Sequence, residues 1–194
     1  MAKQIEAFYA ADRKAWRGWL SKNHKRVDCV WLIIYKKDSS TPTVYYGEAV
    51  EEALCFGWID SKPNKRDGKS YVQFFARRKP KSGWSKINKD RIALLIKQKR
   101  ITSAGLKAIE EAKTNGFWTA LDAIERYVMP PDLSKAFSRN KIAKSHFGLF
   151  PPSVKKAIYY WIQSACLNET RKKRVLETVA LAARNVRANE WRQK

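Results

Sequence analysis

Strand-like and helix-like apolar patterns alternate over the first hundred residues, and beyond them only the helical period of three to four continues. A chain with this switch folds as α+β, a sheet-bearing lobe followed by an all-helical one. The change of pattern places the division near Lys99–Thr102, giving lobes 1–100 and 101–194. No Gly- or Ser-rich linker separates them, and no internal repeat occurs.

Ile5, Phe8, Ala15, Trp16, Trp19 and Leu20 recur at helical spacing, so residues 4–22 read as one amphipathic helix ended by Asn23 and His24. The short apolar run Cys29–Tyr35, rich in Val, Ile, Trp and Tyr, predicts a buried strand. Glu48–Phe56 has acids in its first turn and Gly57 at its end, as a short helix requires. Segments 58–62 and 70–77 flank Asp67-Gly68 and predict a hairpin. In its second strand Val72, Phe74 and Ala76 share one face, and Tyr71, Gln73, Phe75 and Arg77 the other. Helices are expected over 85–99 and 102–115, and from 117 onward. Pro130-Pro131 and Pro151-Pro152 open two of the later helices, and the last two run over roughly 152–166 and 169–187.

Charge says more about function. From Lys62 to Arg100 fourteen Lys and Arg face only Asp67 and Asp90, supplying +12 of the formal +22. So one-sided a field concentrates anions near it, which points to an acidic macromolecule, nucleic acid included, as partner. The candidate polyanion-binding residues are Lys62, Lys65, Arg66, Lys69, Arg77, Arg78, Lys79, Lys81 and Lys86, with Tyr71, Phe75 and Trp84 placed to stack on bases. The competing reading is a solvated basic face over buried rings. A second cluster, Arg171–Arg174 with Arg184, Arg187 and Arg192, brings residues 155–194 to a net +7, and reads first as dispersed helix-surface charge.

No complete catalytic constellation is visible. Glu48, Glu51, Glu52 and Asp60 are the one concentration of acids, and Glu48 and Glu52 share a helical face, so a small-molecule enzyme built on Glu48, Glu52 and Asp60 is the alternative from a different class. Ser153 and Lys156 spell Ser-x-x-Lys, yet the companion motifs of that class are absent and Ser153 fits a helix start. His24 and His146 have no visible partner, and Trp16 and Trp19 fit a core better than a ligand clamp. Cys29, Cys55 and Cys166 lie far apart beside apolar residues, which suits buried thiols and offers no metal-ligand spacing. No cofactor or metal is expected. Residues 1–11 lack the unbroken apolar run of a secretory signal, and no later stretch is long enough to span a bilayer, so a cytoplasmic protein is expected.

Several strings occur together and in order: Trp16-Arg17-Gly18-Trp19-Leu20 with Asn23-His24, the stretch Glu48 to Ser61, Arg78-Lys79-Pro80, Trp84-Ser85-Lys86, Pro130-Pro131-Asp132-Leu133, Phe150-Pro151-Pro152-Ser153 and Glu169-Thr170-Arg171. On these the chain resembles the YdeI/OmpD-associated, or bacteriocin-protection, family. The resemblance implies a YjbR/CyaY-like N-terminal lobe with an antiparallel sheet, a helical C-terminal lobe, and a role in stress or antimicrobial resistance; with no complete catalytic constellation, a non-enzymatic protein is expected. CyaY-like proteins bind iron through acidic surfaces, which this basic lobe does not match. YjbR-like proteins have been suggested to bind DNA, a property that agrees better with the positive charge of this lobe.

Overall fold

A computed structural model describes residues 6–190. The fold is α+β. It forms two compact units, one ending at Ala120 and one beginning at Leu121.

The first unit opens with strand β1 (Ala7–Tyr9) and helix α1 (Arg13–Asn23). This corrects the single helix expected over 4–22. Asp12 accepts from the Ala15 N–H at 2.7 Å and starts the helix there. Phe8 fits the helical spacing by coincidence: it lies on β1 and stacks on Trp19 at 5.4 Å. Ile5, part of the same expectation, lies outside the described residues. Strand β2 (Cys29–Tyr35) follows, then α2 (Tyr46–Cys55), which Gly57 ends at φ +73°. Strands β3 (Trp58–Lys65) and β4 (Ser70–Arg77) form the hairpin. The strand order is β1-β2-β4-β3, with β1 parallel to β2 and the other pairs antiparallel. The register of β3 shifts between Asp60 and Pro63.

Helices α3 (Lys86–Lys97) and α4 (Ser103–Thr114) complete the unit, capped by Ser85 and Thr102. Val30, Leu32, Ile34 and Phe75 on one sheet face share a buried cluster with Trp16, Leu20, Leu54, Trp58, Trp84, Leu95 and Ile109. Period alone cannot say which unit a helix joins; here Thr102 decides, because its N–H and hydroxyl both donate to the Cys55 carbonyl, at 3.0 and 2.7 Å. A Cβ on Gly105 would stand 2.4 Å from that same oxygen, so only glycine lets α4 meet the end of α2.

The second unit is helical: α5 (Asp122–Glu125), α6 (Pro131–Ser138), α7 (Lys141–Leu149), α8 (Pro152–Gln163) and α9 (Asn168–Ala183). Prolines at the first positions of α6 and α8 lack an N–H that would have no helical partner there. Leu133, Phe137, Phe147, Ile158, Ile162 and Val175 centre its core. No helix among the described residues is long and apolar enough to cross a membrane.

Candidate functional site

The β3–β4 turn is built by Asp67. Its carboxylate accepts from the N–H groups of Lys69 and Ser70, at 2.8 and 2.6 Å, and from the Ser70 hydroxyl at 2.8 Å. These bonds, the hydroxyl first, hold the carboxyl below its usual range, so the acid is committed to the turn. Around it residues 61–69 are all exposed, and they carry Lys62, Lys65, Arg66 and Lys69. Arg66 leans on Ser70 at 3.3 Å and on Asp67 at 3.6 Å. Lys36, which sequence reasoning missed, joins this end: its N–H donates to the Lys69 carbonyl and its ammonium to Gly68 O at 2.8 Å. Exposed Lys37 follows it. Only the pairing of Tyr35 with Ser70 reveals that these lysines belong together. Strand β3 is also a sheet edge. Lys62, Pro63 and Lys65 beside a register shift therefore blunt it against pairing with another chain, whatever else they do.

Arg77, Arg78, Lys79 and Lys81 lie at the far end of β4, roughly 23 Å away at a strand rise of about 3.3 Å per residue. Its guanidiniums are occupied. Arg77 donates to the carbonyls of His24, Lys25 and Val27, at 3.2–3.3 Å, and pairs with Asp28 at 3.4 Å. Arg78 lies 3.7 Å over the Trp84 ring and donates to Ser82 and Gly83. Lys79 and Lys81 are exposed, and Lys86 pairs with Asp90 at 2.7 Å. The rings expected to stack on bases are core: Phe75 and Trp84 are 0% and 1% exposed, and Tyr71 is half-buried against the same cluster. The twelve sequence candidates therefore separate into the hairpin-tip cations, the fold-bound Arg77 and Arg78 at the other end of β4 with exposed Lys79, Lys81 and Lys86 beyond them, and rings that are buried or half-buried.

Two family models match the chain, one within each of its compact units. Residues 8–108, a little over half of it, match the family described as Domain of unknown function (DUF8412), and residues 126–185 match Bacteriocin-protection, YdeI or OmpD-Associated. The chain belongs to the DUF8412 family and carries a YdeI/OmpD-associated domain. The second part is what the sequence strings implied. No curated protein and no solved structure matches the chain.

Within the DUF8412 region the acids do not converge. Glu48 reaches back to the Tyr45 N–H at 3.3 Å. Asp60 accepts from the Tyr46 hydroxyl at 2.6 Å, and burial, reinforced by that carboxylate, pushes the phenol up to about 12. Glu52 is fully buried and held by Arg13 and Arg17, each at 2.6 Å, and by Arg100, while Arg13 also pairs with Glu51. Such a carboxylate is a tie between segments, with no oxygen left for substrate. Trp16 is buried and donates to Ala49 O at 3.0 Å. His24 Nδ1 donates to Leu20 O at 2.9 Å. Burial raises the Cys55 thiol, and Cys29 is half-buried.

Within the second unit Lys156 pairs with Glu125 of α5, which takes the lysine of Ser-x-x-Lys into the fold. His146 Nδ1 donates to Ala182 O at 3.0 Å and ties α7 to α9. Arg171 grips Asp132 through two bonds, at 2.6 and 3.0 Å, and Arg174 donates to Trp161 O and lies 5.1 Å over that ring. Arg187 pairs with Glu190 at 3.2 Å, and Arg192 lies outside the described residues. Cys166 is exposed, against the expectation of three buried thiols, because the α8–α9 connection runs over the surface. Among the described residues no three His, Cys, Asp or Glu are grouped to hold a metal.

Proposed function

We propose that this chain is a non-enzymatic, cytoplasmic binding protein that holds a polyanion through the β3–β4 hairpin tip, in a protective role of the kind the bacteriocin-protection description names. The observation that carries this reading is the pairing of exposure with charge at the tip. Lys62, Lys65, Arg66, Lys69, Lys36 and Lys37 outnumber the acids beside them, Asp67, whose carboxylate is bound inward by its own turn, and exposed Asp38. A phosphate or sulfate polymer meets there a set of flexible ammonium groups. The YjbR/CyaY-like character of the first unit, and the suggested DNA binding that goes with it, belong to the same reading.

Fluorescence polarisation against labelled heparin and duplex DNA over a salt series tests it. With four to six phosphate contacts on the duplex, affinity falls roughly a hundred- to thousandfold between 50 and 200 mM salt. The combined substitution Lys62→Ala, Lys65→Ala and Lys69→Ala removes most of that slope. Salt-independent binding, or a variant that binds as the parent does, defeats the proposal.

A further inference from the structure

Both faces of the first unit's sheet are apolar, and the buried cluster lies on only one of them. Val30, Leu32, Ile34 and Phe75 point into that cluster. The opposite face carries Tyr9 on β1, Trp31, Ile33 and Tyr35 on β2, and Val72 and Phe74 on β4, brought side by side by the register. All six are partly accessible, Tyr9 to 39%, and none packs into either buried cluster. An antiparallel sheet with one solvated face ordinarily alternates apolar inward with polar outward. Here the outward positions of β2 and the central ones of β4 hold no charged residue, and a contiguous, partly accessible apolar surface marks a place of contact.

The rings on this face are arranged in pairs. Trp31 and Phe74 meet edge to face with ring centroids 4.9 Å apart, and Tyr9 and Tyr35 do so with centroids 5.6 Å apart. The Tyr9 hydroxyl donates to the Pro42 carbonyl, which fixes that ring in place. Cations stand beyond both ends of the strands: Lys36 and Lys69 at one, Lys25, Arg26 and Lys79 at the other, all exposed. Of the acids nearby, Asp67 is bound into its turn, Asp28 pairs with Arg77, and Glu6, whose carbonyl accepts from the Trp31 N–H, and Asp38 are exposed. An uncharged partner would have no use for cations at both ends.

We propose that the open sheet face is a stacking platform for single-stranded nucleic acid, with the Trp31–Phe74 and Tyr9–Tyr35 pairs receiving bases and the lysines at the two ends taking the phosphates. Stacking accepts any base because every base has a π-face, and a duplex hides those faces, so the platform selects strandedness rather than sequence. The inference rests on the polyanion reading above and names its ligand. It also gives a role to aromatic residues other than the buried ones the sequence suggested.

Polarisation with a labelled twelve-nucleotide single strand, its duplex and heparin, each at equal salt, decides the matter. The parent chain binds the single strand most tightly. Phe74→Leu and, separately, Tyr35→Leu keep the face apolar but remove a ring, and each weakens single-strand binding about five- to a hundredfold while leaving heparin binding unchanged. Thermal melts identify either variant that fails to fold, and the other then carries the test. Equal affinity for all three probes, or no loss in a folded variant, overturns the platform and leaves the polyanion reading standing. Absence of binding to every probe removes both. A concentration-dependent dimer abolished by Phe74→Leu assigns the face to a second copy and overturns the platform.

Discussion

The two ends of β4 carry similar charge and use it differently. At the hairpin tip the cations are mostly lysines whose ammonium groups reach solvent; at the other end Arg77 and Arg78 spend their guanidiniums on loop carbonyls and an indole ring. The planar fork of arginine fits carbonyl and carboxylate oxygens several at a time, whereas the strongly hydrated lysine head group loses more by leaving water. Glu52 repeats the pattern with Arg13, Arg17 and Arg100, and Asp132 with Arg171. Formal charge thus overstates the surface left for a partner. Asking which cations are arginine and which lysine comes nearer the answer.

Removing an anchor of the arginine side should cost most. Glu52→Ala leaves three guanidiniums facing one another and is expected to destabilise the first unit by about 3–5 kcal/mol, read by urea denaturation. An unchanged midpoint would show that the cluster does not fasten α1, α2 and the segment before α4. Arg78→Ala removes the contact over Trp84 and the bonds to Ser82 and Gly83, for a loss of about 1–2 kcal/mol in the same assay.

The pair of Asp132 with Arg171 has a smaller, pH-dependent effect. The Arg171 guanidinium holds the Asp132 carboxyl below its usual range, so the stabilisation is whole at neutral pH. It begins to fade as pH falls below the unfolded value of about 3.9 and is gone once pH has passed the lower folded value. Asp132→Asn should remove that part of the acid dependence of the melt, at a cost under about 1 kcal/mol for so exposed a pair. At the bottom of the scale stands the triple lysine variant of the tip, whose stability should stay within about 0.5 kcal/mol of the parent while its polyanion affinity drops. A large loss of stability there would erase the contrast between the two ends.

Much of the secondary structure was legible because the relevant signals are local. Strand β2, the hairpin around Asp67-Gly68 and the proline-led helices follow from residues within a few positions of one another. The N-terminal strand was not, since Phe8 falls in phase with Trp16 and Trp19, and Asp12 among charged neighbours does not announce itself as a cap. The faces of β4 followed from alternation, but which face is covered did not. Phe74 and Phe75 are equally apolar, and the polar residue between the buried positions, Gln73, points inward because its amide reaches the Ser61 carbonyl at 2.8 Å. The Lys36 neighbourhood needed strand pairing across thirty residues, which no local pattern encodes.

The Glu52 tie has a consequence for synthesis. All four strands of the sheet have been made by Arg77, yet Arg17 donates to the Arg100 carbonyl, and the Cys55 carbonyl waits for Thr102. A nascent chain that has reached Gln98 holds Glu52 with two of its three guanidiniums and has no α4 to lay against the end of α2. The first unit therefore locks late, only after the ribosome has passed well beyond its last strand.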